Sequence, residues 1–238
     1  MQVIGMLGYV DKYDFVMNLA KTINIMGKAV LVVDATLDQK LKYVVPALDN
    51  IGRYYVTQYN GIDFAVGFDS MHDVENYMIE QGINIGLYDY ILIDIDSPKA
   101  YEFFRTRGFD KNYFFIDTSV LSVQKNKEIL KAIRVYNPDE NSIKLSKILY
   151  KSYMSRASEE YFENQITAYN VNWQEPEYEV QMNEQDIMAN IDSQFSGIID
   201  VKKHSKYFTQ TLSDLTAEIV EDVTSKEVLR QIKRRGND

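Results

Sequence analysis

With 238 residues, 45% of them hydrophobic and 26% charged, the chain has ordinary globular composition and length for one large α/β domain, which excludes a disordered protein. Zero cysteines exclude disulfides, cysteine-ligated metals and thiol catalysis, and no apolar run approaches the ~18 residues of a membrane-spanning helix. A net charge of −9 sets the surface against nucleic-acid phosphates.

The predicted elements alternate. Val3 to Leu7 is a short apolar strand. Asp14 to Met26 carries Phe15, Leu19, Ile23 and Met26 at helical spacing, and Gly27 stands where a helix ends. Ala29 to Val33 is continuously apolar, as a strand buried on both faces should be. Strand, helix and strand within ~35 residues form a βαβ unit and predict a parallel sheet. Tyr54 to Gln58 and Ile62 to Gly67 flank Asn60-Gly61, a hairpin signal, although a parallel crossover could also bend there. Ser70 opens a helix over Met71 to Gln81, ending at Gly82. Tyr90 to Ile95 reads as the most buried strand. A short helix follows Pro98 and stops at Gly108, Tyr113 to Ile116 is a strand, and Val120 to Val135 is a helix.

Beyond Asn137-Pro138 the same style continues. A strand is expected over Ser146 to Met154 and a helix over Ser158 to Tyr169. Asn172 to Glu179 reads as a less regular, acidic stretch holding the single tryptophan. Asn183 caps a helix through Phe195, Ser205 caps another through Val220, and Thr224 with Glu227 forms the capping box of a last short helix at about 225–235. There is no internal repeat. The fold class is α/β, a doubly wound, mostly parallel sheet flanked by helices in one domain over residues 1–238.

Asn18-Leu19-Ala20-Lys21, then Gly27-Lys28, then Val30-Leu31-Val32-Val33-Asp34-Ala35 closely resembles the first βαβ unit of ParA/MinD-type P-loop ATPases, which reads N-L-A, G-K and V-L-L-V-D-A at this spacing. Tyr88-Asp89-Tyr90-Ile91-Leu92-Ile93-Asp94 is similar to that family's later strand, Y-D-Y-I-I-I-D. Phe115 to Lys125 and Lys206 to Ile219 resemble its next strand and turn and its closing helix. Counting back from Asn18, the family's K-G-G-V-G-K-T-T falls on Leu7-Gly8-Tyr9-Val10-Asp11-Lys12-Tyr13-Asp14. Gly8, Val10 and Lys12 match; the other five positions depart.

The resemblance implies a nucleotide site at Gly8, Asp11, Lys12, Tyr13, Asp34 and Asp94, the last two serving the attacking water and Mg²⁺ in the family. The departures argue that this site is vestigial. A phosphate cradle needs glycines whose backbone N–H groups converge on the anion at a helix N-terminus. Tyr9 crowds one such glycine, Asp11 puts a carboxylate where phosphates belong, and Tyr13 replaces the hydroxyl that would ligate Mg²⁺. Leu7 removes the lysine that the family offers across its dimer interface. Asp11 and Asp14 also stabilise a helix start that has lost its anion, by roughly 0.3–1 kcal/mol each. Lys12 is read as a solvated or salt-bridged lysine rather than a catalytic one, with Asp34 or Asp94 as its partner. Asp94 and Asp96 are expected to point to opposite faces. His72 and His204 have no metal-ligand spacing, and no metal site is assigned.

A non-catalytic, ParA/MinD-like positioning or assembly factor follows, with no cofactor expected. It would serve plasmid or DNA partition, pilus, secretion or conjugation machinery through protein contacts. The alternatives are an unconventional ATPase using ATP and Mg²⁺, and a DNA-binding partition factor relying on the basic tail. Leu7, Tyr9, Val10 and Tyr13 are the candidate interface, for a second copy or a protein partner. In the tail, Val228, Leu229 and Ile232 form an apolar stripe beside Arg230, Lys233 and Arg234. It is similar in kind to the membrane-docking helix of MinD proteins; a solvated terminal helix is favoured, with membrane or partner docking as the rival. With no signal-peptide pattern, a cytoplasmic location is expected, peripheral to the membrane under that rival.

Overall fold

A computed structural model describes residues 1–46, 53–138, 143–150, 160–161, 164–166, 169, 171–181 and 183–235. The opening βαβ unit sets the frame: β1 (Gln2–Leu7), α1 (Tyr13–Ile25) and β2 (Val30–Asp34). The later strands are β3 (Tyr55–Tyr59), β4 (Ile62–Val66), β5 (Tyr90–Ile95), β6 (Lys111–Ile116), β7 (Lys144–Tyr150) and β8 (Asn172–Val180). The helices are α2 (Leu41–Val44), α3 (Met71–Glu80), α4 (Pro98–Phe104), α5 (Val120–Tyr136), α6 (Glu184–Ser196), α7 (Lys206–Ile219) and α8 (Ser225–Arg235).

The eight strands form one sheet in the order β3-β4-β2-β5-β1-β6-β7-β8. Every neighbouring pair is parallel except β3 with β4. That hairpin turns at Asn60 and Gly61, both at positive φ (54° and 79°), the conformation a type I′ turn demands. The β1, β2 and β5 strands lie side by side, with β2 and β5 in a register that sets Asp34 opposite Asp94 at their C-terminal ends. Strand alternation divides the core. Ile4, Met6, Val32, Leu92 and Phe115 pack under α1, α7 and α8 with Phe15, Phe208, Leu212 and Val228. Val3, Leu7, Leu31, Val33, Ile93 and Phe114 face the other layer, with Val74, Tyr101 and Ile129 from α3, α4 and α5.

Caps behave as their sequences require. Ser70, Ser97, Ser119, Asn183 and Ser205 each accept a backbone N–H from the first turn of the helix that follows, and Thr224 exchanges hydrogen bonds with Glu227.

The acidic stretch Asn172 to Glu179 is a strand, against the irregular reading. Proline and alternating charge disguise it, but both are tolerated at a sheet edge. The β7–β8 register slips between Ser146 and Ile148, and the extra residues of β8 there include Glu175 and Pro176. Trp173 packs edge-on against Phe114, ring centroids 5.9 Å apart. The predicted strand end at Met154 and half of the helix expected from Ser158 lie outside the described residues.

Candidate functional site

Parallel sheets gather ligand-binding groups at their strand C-terminal ends, and the loop after β1 lies there. Gly8 donates its N–H to the Ile95 carbonyl at 2.9 Å and holds φ at +124°. A Cβ on it would sit 2.2 Å from the Phe115 carbonyl oxygen, so the close pass over β6 requires glycine. The next amides are also taken. Tyr9 N–H donates to Asn126 Oδ1 at 2.7 Å, Val10 N–H to the Gly8 carbonyl at 3.1 Å, and the Tyr9 carbonyl accepts from Ser122 Oγ at 3.1 Å. In a phosphate cradle such amides point at the anion. Here α5 and the loop itself hold them.

Lys12 is 1% exposed, as is Asp94. Its Nζ lies 2.7 Å from Asp94 Oδ1 and donates to the carbonyls of Gly8 at 2.8 Å and Ile95 at 3.2 Å, with the Phe115 ring 5.8 Å away. Two of its protons are donated to carbonyls, and the carboxylate lies at ion-pair distance. Burial pushes the Asp94 carboxyl above the usual range, and Lys12 opposes that shift. Asp34, across the β2–β5 register, accepts from Thr36 N–H at 3.1 Å, Thr36 Oγ1 at 2.6 Å and Leu41 N–H at 3.0 Å, so its carboxylate anchors the loop from β2 to α2.

Burial, then the neighbouring Asp94 charge, push the Asp34 carboxyl up to about 6. A carboxyl that binds its proton more tightly folded than unfolded stabilises the fold below its unfolded value near 3.8, and that contribution is lost as pH rises through about 6. We expect the Asp34 side-chain ¹³C resonance to titrate near pH 6; a midpoint at or below 4 would refute this environment.

The mouth of the cleft is bridged from both sides. Asp11 is half exposed and pairs with Lys40 at 2.8 Å, which at that exposure is worth about 0.2–1 kcal/mol. Asp96 accepts the Leu37 N–H at 3.1 Å. Tyr13 turns toward α6, where its hydroxyl accepts from Gln194 Nε2 at 3.1 Å; burial and then Asp14 push this phenol up to about 12. The remaining space, about 160 Å³ between Tyr9, Tyr13, Thr36, Lys40, Asp94 and Asp96, is below the ~300–1,000 Å³ of small-molecule sites. A wider groove of about 690 Å³ lies at the opposite end of the sheet, near Lys111, Lys144 and Glu218. There Lys111 is already tied to the Glu218 carbonyl.

Several sequence expectations change. Leu7 is fully buried in the layer under α3–α5, because alternation places it with Val3, so it leaves the candidate interface; Tyr9, Val10 and Tyr13 stay partly exposed around the cleft. Asp11 precedes the helix and reaches out to Lys40 instead of into the phosphate position. Lys12 chooses Asp94 over Asp34. Asp94 and Asp96 both line the cleft, since residues two apart along a strand share a face. In α8, Val228 and Ile232 are buried in the core and Leu229 is half-buried, so the apolar stripe is consumed by packing on α7 and α1; Arg230, Lys233 and Arg234 remain exposed.

Sequence reasoning missed Thr36, Asp38, Lys40 and Asn126. Only Thr36, Asp38 and Lys40 had a local signal, their place in the polar run after a strand-ending aspartate. Among the described residues no group of three or more histidine, aspartate or glutamate side chains is arranged to hold a metal ion, and no helix is long and apolar enough to cross a membrane. The amides of Gly8, Tyr9 and Val10 and the Lys12 ammonium are therefore already engaged within the chain.

No family model and no curated protein matches the sequence. Solved structures do. A chain of the MinC:MinD cell division protein complex of Aquifex aeolicus superposes with a TM-score of 0.57 at 13% identity, over 98% of this chain and 95% of that one. A ParA family ATPase from Chlorobium tepidum TLS gives 0.52 at 15% identity, over 98% and 97%. Apo McdA from Cyanothece gives 0.52 at 9% identity, over 98% of each. At such identities the likeness is one of fold.

Proposed function

We propose that this chain, built on the ParA/MinD-type P-loop fold, works as a non-catalytic positioning or assembly factor in which an internal ion pair stands in for nucleotide. The observation that carries this reading is the buried Lys12–Asp94 pair, its ammonium spent on Asp94 and two carbonyls. Phosphate could recruit Lys12 only by taking it from Asp94, and a buried charge deprived of its partner is strongly unfavourable. The departures at Tyr9, which crowds a glycine position, and at Tyr13, which lacks the Mg²⁺-ligating hydroxyl, support the same conclusion.

Function then rests on contacts with another protein. Relatives of this fold include a cell division protein complexed with MinC and a ParA family ATPase, which favours a spatial or assembly role. The contact face would be the cleft rim, where Tyr9, Val10 and Tyr13 adjoin the exposed Leu37, Val120 and Leu121. Aromatic and aliphatic groups gathered at one rim suit a protein partner.

Thermal unfolding with ATP or ADP and Mg²⁺ tests the reading. A nucleotide at 100 times its Kd would add about 2.7 kcal/mol of stability and raise Tm by roughly 5–10 °C in a chain of this size. We expect no saturable shift; a shift of that size that disappears in Lys12→Ala would refute the proposal. A salt-sensitive DNA retardation lost on neutralising Arg230, Lys233 and Arg234 would replace it with DNA binding through α8.

A further inference from the structure

Helix α6 is amphipathic in the inverted sense. Its inward face carries Asp186, Ala189 and Asn190, while its large apolar residues face out: Ile187, Met188 and Ile191 are about half exposed, and Phe195 is 90% exposed, with Ile198 just beyond the helix also exposed. The inward face is held by polar bonds. Asp186 accepts from Ser205 N–H at 2.7 Å and Ser205 Oγ at 2.9 Å, and Asn190 Oδ1 accepts from Asn18 Nδ2 at 3.1 Å. The folded monomer therefore places its polar side chains inside and leaves its aliphatic and aromatic ones in water, the reverse of what burial favours.

We propose that α6 is a self-association surface, packing antiparallel against α6 of a second copy. Ile187, Ile191 and Phe195 stand at i, i+4 and i+8, with a large residue four positions to either side of Ile191. Such a ridge fits between the ridges of an identical helix about a two-fold axis centred on Ile191, the commonest helix-packing class, with a crossing near −50°. The five side chains expose on the order of 500 Å², at the upper end of the largest patch on a typical monomer (about 300–600 Å²). That is over half of the about 800 Å² each partner gives a standard interface. Between Ile187 and Phe195 the stripe holds no charge. Asp192 sits off it and pairs with Lys203 at 3.4 Å, and the exposed Glu184 lies at its N-terminal end, so two copies of a chain of net charge −9 can meet about Ile191 with no carboxylate at the centre of the contact.

Sedimentation equilibrium, with and without 0.5 M NaCl, is the test. We expect a dimer at micromolar concentration that tightens with salt, because screening relieves repulsion between two acidic chains. Phe195→Asp should weaken it at least 100-fold without lowering the Tm of the monomer, measured below the dimer Kd, since there the side chain is already in water. As the chain has no cysteine, Ile191→Cys should give a disulfide-linked dimer on mild oxidation and Tyr207→Cys, at an exposed position of α7, should not. Tyr9→Asp, at the cleft rim, should leave the dimer intact, which separates this surface from the proposed partner face. A monomer at 100 µM in both salts, a dimer indifferent to Phe195→Asp, or binding of α6 only to another protein would overturn the proposal.

Discussion

Lys12→Ala is expected to lower the unfolding free energy by about 3–5 kcal/mol, the cost of leaving a buried charge without its partner. Asp94 is 1% exposed, and the carbonyls of Gly8 and Ile95, which both accept from Lys12, would lose a donor in the same step. Asp94→Asn should cost less than Lys12→Ala, because the amide oxygen can still accept from the ammonium. The double variant Lys12→Met with Asp94→Leu should recover most of the loss, since removing both charges removes the desolvation they share. Urea unfolding of the unmodified protein, Lys12→Met, Asp94→Leu and the double variant gives the coupling energy directly. The loss in Lys12→Ala should also shrink as pH falls: burial already raises the Asp94 carboxyl, and without Lys12 only the weaker pull of Lys40 opposes that, so protonation removes the orphaned charge. Additive single effects, or a pH-independent loss, would show that the pair is not a coupled unit.

The second large effect belongs to Gly8→Ala. At φ +124° an L side chain is strained, which alone costs about 1–3 kcal/mol. The new Cβ would also lie 2.2 Å from the Phe115 carbonyl oxygen and 3.0 Å from its carbon. Those atoms belong to β6, a strand locked between β1 and β7, so neither side can give way cheaply. We expect a loss of more than about 3 kcal/mol and poor soluble expression. Gly82→Ala is the control: φ there is +68°, with nothing within 4 Å of the added carbon, and it should cost about 1 kcal/mol from backbone strain alone. Equal losses at the two sites would mean that contact with β6 contributes nothing.

The parts of the fold that were legible in the sequence are those decided locally. Apolar β2 and β5 announce a parallel core, Asn60-Gly61 sets its hairpin, and Asn183 and Thr224 start their helices where capping chemistry says they should. Asp34 and Asp94 could be placed at one sheet edge because each ends an apolar strand. What escaped depends on distant partners. Nothing near Asp11 predicts Lys40, twenty-nine residues on, and nothing near Tyr9 predicts Asn126. The apolar stripe of α8 has the spacing of a surface-docking helix, and only the neighbouring α7 and α1 turn it into core. The strand β8 was hidden by Pro176 and its acids, which an edge position tolerates and a central one would not. The inversion of α6 was invisible for the same reason, since helical periodicity locates an apolar face without saying whether the protein turns it inward.

The anchoring of the β2–α2 loop carries a consequence for control. In nucleotide-driven switches such loops are ordered by a terminal phosphate and released on hydrolysis, so each cycle resets a timer. Here Asp34 fixes Thr36 and Leu41, and Asp96 fixes Leu37, using oxygens the chain itself supplies. A ligand can move an equilibrium only by binding two states unequally, and these internal bonds favour the fastened state of the loop without one. Under the proposed function, without a nucleotide clock, the amount of active factor becomes a matter of dosage: how much is synthesised, how fast it is degraded, and how far its concentration stands above the threshold for association.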